Sequence, residues 1–223
     1  MLSPEKEKTK ILIVDDHPLV REWLANLINQ QTDLMVSGEA ENSQGAMRAV
    51  RDYPPHVAIV DISLSDSSGL ELIKEIKQAH PEIRVLVLTM HEESHYAARA
   101  LRAGAAAYLV KREATGKVIP AIRAVLAGKL VVSQLPVETQ LEANSTRASD
   151  GVCSPMEVLS DREFEVFELL GKGLGTRQIA AALRLRIKTV QTHCSAVKEK
   201  LHLGTGRELM REAVRWHECR QPQ

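Results

Sequence analysis

The stretch His56-Val-Ala-Ile-Val-Asp61-Ile-Ser-Leu64 runs four apolar residues straight into an aspartate. A short continuous apolar run with polar residues at its ends fits a strand covered on both faces, as in parallel sheets. Ligands of such sheets bind outside the carboxyl ends of the strands. Asp61 is therefore placed to do chemistry, provided the ends of the neighbouring strands supply partners.

Similar runs lie on either side. Ile11-Leu-Ile-Val14 ends in Asp15-Asp16, and His17-Pro18 opens a helix with Val20, Trp23, Leu24, Leu27 and Ile28 at helical spacing. A strand is expected around Met35–Ala40, then a helix capped by Asn42 or Ser43 and carrying Ala46, Met47 and Val50. After the opening strand come a helix from Gly69 to His80, a strand Val85–Leu88 ending at Thr89, and a helix stopped by Gly104. The fifth strand is Ala107–Val110, ending at Lys111, and the last helix carries Val118, Ile119, Ile122, Val125 and Leu126. Alternating strands and helices predict an α/β doubly wound five-stranded parallel sheet of flavodoxin-like type. One edge of that sheet gathers Asp15, Asp16, Asp61, Thr89 and Lys111. Three carboxylates this close repel one another unless a cation sits among them. An all-oxygen set with few protein ligands suits Mg²⁺, and a hydroxyl with an ammonium opposite complements an anionic group carried on a carboxylate.

The order Asp-Asp, Asp, Thr, Lys on five strands resembles the receiver domain of two-component response regulators, over roughly residues 9–128. The resemblance implies that Asp61 accepts a phosphoryl group from a sensor histidine kinase. It implies Asp16 as a direct Mg²⁺ ligand, Asp15 as one through water, Asp61 itself, and the backbone carbonyl of Ser63. Thr89 and Lys111 then bond the phosphoryl oxygens, and Tyr108 matches the aromatic that turns inward on activation. The domain assists only its own phosphorylation and dephosphorylation and is otherwise no enzyme. His17 borders this site without a role. Two residues depart from the family pattern: Ser65 stands where a proline is usual, and Ala107 where a glycine is. The first leaves the loop 63–69 looser; neither removes a phosphoryl ligand.

From Gly128 the periodicity fades. Val131–Ser133 reads as a brief extended piece, Glu138–Asn144 as a short helical one, and Asn144–Pro155 as flexible. The expected division is a receiver over 1–128, a linker over 129–156 and a second domain over 157–223.

The second domain is all-helical. Ser160 and Glu163 form a capping box ahead of Phe164, Val166, Phe167 and Leu170, a helix stopped at Gly171 or Gly173. Thr176 caps the next helix, with Ile179, Ala180 and Leu183 inward. A helix over Lys188–Leu201 then turns Val190, Cys194, Val197 and Leu201 inward, leaving Lys188, Gln191, Thr192, Ser195 and Lys198 along one exposed side. Two short helices with a polar, basic outer face on the second fit a helix-turn-helix. The chain as a whole balances 29 basic against 29 acidic residues, so bulk charge names no partner. Residues 172–200 hold seven basic residues and one acidic, a net +6 able to face nucleic acid.

Leu-Ser-Asp-Arg-Glu163, then Ile179-Ala, Lys188-Thr-Val-Gln-Thr-His193 and Lys200-Leu resemble the LuxR-type helix-turn-helix of the NarL/FixJ subfamily, over roughly 157–216. By that resemblance Gln191, Thr192 and Ser195 read bases in the major groove, while Lys188, Thr189, His193, Lys198 and Lys200 take phosphates. Arg186 replaces the usual capping Ser or Thr, so capping passes to Thr189 or is weaker, and Arg186 adds a phosphate contact. Arg207–Trp216 resembles the family's closing helix, whose stripe of Leu209, Met210, Ala213 and Val214 is either a dimerisation surface or core. Together these readings give a phosphorylation-dependent transcriptional regulator that forms a homodimer when active, with RNA polymerase a further candidate partner. Two rivals stand beside it. A phosphatase with Asp61 as nucleophile needs a second carboxylic acid two residues on, where Ser63 stands. A DNA-binding regulator whose first domain senses a ligand or a partner without phosphorylation would bind DNA independently of Asp61.

Cys153, Cys194 and Cys219 are an odd number without close pairing, which fits a reducing compartment, with Cys194 a small buried hydrophobe. The start, Met-Leu-Ser-Pro-Glu-Lys-Glu-Lys, lacks the apolar core of a signal peptide and no run approaches a membrane span. A cytoplasmic protein is expected.

Overall fold

The computed structural model describes residues 8–64, 68–90, 94–132 and 155–219. Ser65, His91, Cys153, the helical piece expected at 138–144 and the flexible stretch after it up to residue 154 lie outside them. The chain divides into two compact units between Arg147 and Ala148.

In the first unit the strands are β1 (Thr9–Val14), β2 (Leu34–Ala40), β3 (Val57–Val60), β4 (Arg84–Thr89), β5 (Ala107–Val110) and β6 (Val131–Val132). All pair in parallel, in the order β2-β1-β3-β4-β5-β6. The sheet therefore has six strands and not the expected five. The sixth is the brief extended piece expected from Val131, two residues long, and its Val131 and Val132 lie opposite Ala107 and Tyr108. The helices are α1 (Pro18–Asn29), α2 (Ser43–Asp52), α3 (Gly69–Ala79), α4 (Ser94–Ala103) and α5 (Ala114–Leu126).

Apolar spacing set the inward faces. Leu24 and Ile28 of α1 and Val118, Ile122 and Val125 of α5 bury against Ile11, Ile13, Ile59 and Leu88, with Val20, Trp23, Leu27 and Ile119 partly buried around them. Leu126, the last residue of α5, is 38% exposed. Asn42 caps α2, its side chain accepting from the Gly45 N–H at 2.7 Å. Gly104 takes a φ of 106° just after α4, the left-handed turn that stops the helix.

The second unit comprises α6 (Pro155–Val158), α7 (Asp161–Gly171), α8 (Thr176–Ala182), α9 (Ile187–Lys200) and α10 (Gly206–Glu218). The capping box expected at Ser160 and Glu163 is formed. A second one joins Thr205 and Glu208 ahead of α10. Thr176 does not cap α8. It is the first helical residue, and the cap is Gly175, whose N–H donates to Gln178 Oε1 at 2.9 Å. Trp216 of α10 meets the rings of Phe164 and Phe167 edge-on, with centroids 5.2 and 5.9 Å away. Leu209 and Ala213 are buried, while Met210 and Val214 are half-buried. The stripe on α10 thus belongs in large part to the core of its own unit.

Gly171 makes that packing possible. A Cβ there would lie 2.6 Å from the Ala213 carbonyl oxygen and 3.1 Å from His217 Cβ. The first neighbour is helix backbone and cannot turn away. At a helix end, alanine's propensity advantage, at most about 1 kcal/mol, is outweighed by overpacking of roughly 1–3 kcal/mol. Gly171→Ala is expected to lower the stability of the second unit by about 1–2 kcal/mol, measured by urea denaturation of the full chain followed by Trp216 fluorescence.

Candidate functional site

The sheet order reverses direction between β1 and β3, and their carboxyl ends open a crevice there. Val14 lies opposite Val60, and the Asp61 N–H donates to the Val14 carbonyl at 2.9 Å. Asp15 and Asp61 consequently emerge side by side, both buried. Thr89, the last residue of β4, lies opposite Val110 and is buried too. Lys111 follows β5 in a single 3₁₀ turn, Lys111–Glu113.

Asp15, Asp16, His17 and Asp61 each bring one potential ligand atom within 4.8 Å of all the others. The three carboxylates expected to converge therefore do so. The Lys111 ammonium reaches across from the end of β5 to lie 2.6 Å from Asp15 Oδ2 and 2.7 Å from Asp61 Oδ2. Burial works against its charge, but Asp61 and Asp15 outweigh burial and hold its pKa above the ordinary lysine value. The lysine expected to meet a phosphoryl group thus pairs with two of the carboxylates here.

His17, expected to border the site, touches two of its carboxylates. Its Nδ1 lies 3.2 Å from Asp15 Oδ1 and 2.8 Å from Asp16 Oδ1, and its N–H donates to Asp15 Oδ1 at 2.9 Å. Arg21, one turn into α1, donates to the Asp15 carbonyl at 2.6 Å and fixes the backbone beneath the carboxylate. The sequence signal for both was their place in the first turn after an acidic strand end.

The connection after Asp61 is pinned at both ends. The Ser63 N–H donates to Asp61 Oδ1 at 3.3 Å, Ser63 and Ser68 form an antiparallel bridge, and Ser68 Oγ accepts from Leu70 N–H at 3.3 Å to cap α3. The Gly69 N–H donates to the Ile62 carbonyl at 2.7 Å. A Cβ on Gly69 would fall 2.0 Å from the Asp61 carbonyl oxygen and 2.7 Å from Ile62 Cα, so only glycine lets α3 approach so near. Tyr108, the residue that the resemblance makes the switch aromatic, is fully buried.

In the second unit α8, the turn 183–186 and α9 form the helix-turn-helix. Arg184 takes a left-handed φ of 52° in that turn. Arg186 is the N-cap of α9 and makes no side-chain capping bond; its carbonyl accepts the Thr189 and Val190 N–H groups. Capping is therefore weaker and does not pass to Thr189, which lies inside the helix. Val190 and Val197 are buried, while Lys188, Gln191, Thr192 and Ser195 are exposed along one side. The Thr192 hydroxyl donates to the Lys188 carbonyl at 3.0 Å.

The phosphate candidates are less uniform. Thr189 and Lys198 are half-buried. The Lys200 ammonium lies 2.7 Å from Glu163 Oε2, inside the capping box of α7. His193 is half-buried, and burial, with Arg162 nearby, lowers its pKa. Cys194, expected to be buried, is half-buried, and the burial it has raises its pKa. No helix among the described residues is long and apolar enough to cross a membrane.

Residues 11–123 match the model of the response regulator receiver domain, and residues 157–213 match that of the bacterial regulatory proteins of the LuxR family. The chain is 36% identical over 204 residues to the transcriptional activator protein ExaE of Pseudomonas putida, covering 92% of this chain and 95% of that one. It is 32% identical over 210 residues to the oxygen regulatory protein NreC of Staphylococcus aureus, covering 92% and 97%. RcsB of Salmonella enterica serovar Typhimurium, solved bound to promoter P1flhDC in the presence of the phosphomimetic BeF3-, matches with a TM-score of 0.58 at 25% identity, covering 93% of this chain and 98% of that one. With these matches on both units, the chain belongs to the response regulators that join a receiver domain to a LuxR-type helix-turn-helix domain.

Proposed function

We propose that the chain is a cytoplasmic, phosphorylation-dependent transcription regulator in which Asp61 takes a phosphoryl group from a sensor histidine kinase. The observation that carries this reading is the convergence of Asp15, Asp16 and Asp61 at one sheet edge, with the Lys111 ammonium 2.7 Å from Asp61. We assign the receiver to 1–128, the linker to 129–156 and the DNA-binding domain to 157–223.

The donor set fits Mg²⁺: carboxylate oxygens of Asp15, Asp16 and Asp61 converge, and the Ser63 carbonyl follows two residues on. When bound, Mg²⁺ supplies charge neutralisation for the attacking carboxylate and the phosphoryl oxygens. An Asp61 oxygen bonds to phosphorus as the P–N bond of the kinase's phosphohistidine breaks, its electron pair passing to the imidazole. Asp61 then no longer holds a full negative charge against Lys111, and the ammonium transfers to a phosphoryl oxygen. Thr89, buried beside it at the end of β4, donates its hydroxyl to another. These moves, with the buried Tyr108, bias the receiver between two surfaces and so set homodimerisation and DNA binding. Lys188, Thr189, Gln191, Thr192, His193, Ser195, Lys198 and Lys200 are the DNA-facing candidates, with Lys200 first needing release from Glu163. RNA polymerase is a further partner in this reading.

Selection from a random DNA pool tests the whole proposal. The chain treated with Mg²⁺ and acetyl phosphate is expected to enrich one paired sequence, and Asp61→Asn to give the same weak enrichment with or without treatment. Equal response of Asp61→Asn contradicts the acceptor assignment.

The Lys111 contacts give an independent prediction. Its ammonium competes with any cation for Asp15 and Asp61. Removing one unit charge at this range changes the field on a divalent ion by several kcal/mol even at an effective dielectric constant near 20, of which solvent returns part. Lys111→Met is expected to bind Mg²⁺ about tenfold more tightly by calorimetry, while being less stable without it because two buried carboxylates lose their partner. Unchanged or weaker Mg²⁺ binding contradicts the competition.

A further inference from the structure

Ile187 is exposed to 43% of its full area, and among the residues of 158–219 whose burial is described it is the one large apolar side chain left exposed. It is the first residue of α9. Val190, the next apolar residue along that helix, is fully buried. Ile187 and Gln191 stand four residues apart and so lie along one line of the helix, as neighbours on its surface. Gln191 is exposed together with Lys188, Thr192 and Ser195. Ile187 thus extends the candidate reading face by one turn toward the N-terminus, and it is the only apolar group that does.

The N-terminal residues of a recognition helix are those that meet base edges. The major groove offers one apolar feature, the C5-methyl group of thymine. A phosphate gives nothing to an isoleucine. A protein partner would call for a contiguous apolar patch, and the neighbours of Ile187 on this surface are the exposed Arg186, Lys188 and Gln191.

We infer that Ile187 packs against a thymine methyl in each half-site and is a specificity-determining residue of the DNA-binding unit. The inference rests on the DNA-binding function proposed above. The Ile187 contact selects thymine at one position, beside the base read by Gln191. It acts by apolar contact alone, so it discriminates thymine from uracil, which differ only by that methyl group.

The test uses the full chain treated with Mg²⁺ and acetyl phosphate, and the DNA it selects from a random pool. Each thymine is replaced singly by deoxyuridine and the Kd measured. Burying one methyl group is worth about a fourfold change in affinity. The wild-type chain is expected to lose about fourfold at one thymine per half-site. Ile187→Ala is expected to bind the unmodified site about as weakly as wild type binds a site with uracil at that position in both half-sites, and to be indifferent to uracil there. Ile187→Val, which keeps a branched methyl pair, retains part of the discrimination. Thermal unfolding of both variants checks that the surface substitution leaves the fold intact. Equal sensitivity to uracil in wild type and Ile187→Ala overturns the inference while leaving DNA binding standing. So does wild-type indifference at every thymine, or an effect of Ile187→Ala on self-association alone. A chain that enriches no sequence overturns the DNA-binding function itself, and the inference with it.

Discussion

Two short contacts, from the Lys111 ammonium to Asp15 at 2.6 Å and to Asp61 at 2.7 Å, hold together an edge that would otherwise push itself apart. A parallel sheet brings the carboxyl ends of its strands to one side, and here that side collects three carboxylates within 4.8 Å. Such a cluster persists in a folded protein only when positive charge is at hand. The lysine supplies it from β5, across the end of β4, because its side chain is long enough and its pKa is held up by the two anions it touches. The same contact makes the arrangement responsive: whatever changes the charge on Asp61 changes what Lys111 binds. Chemistry and conformation are joined at one ammonium.

Much of this edge was legible in the sequence because the signal is simple. Apolar runs at 11–14, 57–60, 85–88 and 107–110 each stop at a polar residue, and parallel pairing obliges those stops to meet. The helical faces followed from spacing, and so did the caps at Asn42 and Ser160, where a short polar side chain precedes a helix. What was not legible depended on distance in three dimensions. The brief extended piece at Val131 was legible, but not that it pairs with the open edge of β5 as a sixth strand. His17 was a neighbour by sequence, but only its side-chain orientation brings Nδ1 to both Asp15 and Asp16. Pairing of Lys111 with Asp15 and Asp61 could not be told from pairing with a phosphoryl group, since both need the same reach. Gly175 displaced Thr176 as a cap because Gln178 supplied the capping oxygen from inside the helix.

The second unit follows a different logic. Its core is a small apolar cluster, closed by Trp216 edge-on to Phe164 and Phe167 and by the close approach that Gly171 allows. That economy assigns Leu209 and Ala213 to the interior and leaves the outer side of α9 free of structural duties. Ile187, Lys188, Gln191, Thr192 and Ser195 are exposed along it, which suits a surface that meets a partner. Lys200 is the exception, since its ammonium already serves Glu163. Charge counting alone would have grouped it with Lys188.

The central claim is that Asp61 carries a phosphoryl group in a site completed by a divalent cation and Lys111. The most direct measurement is the thermal stability of the full chain with Mg²⁺, with beryllofluoride as a phosphoryl mimic, and with both, for wild type and Asp61→Asn. The account predicts a rise in the melting temperature of the wild-type receiver that needs both additions and disappears in Asp61→Asn. An equal rise in the variant, or a rise from beryllofluoride that does not depend on Mg²⁺, would contradict it.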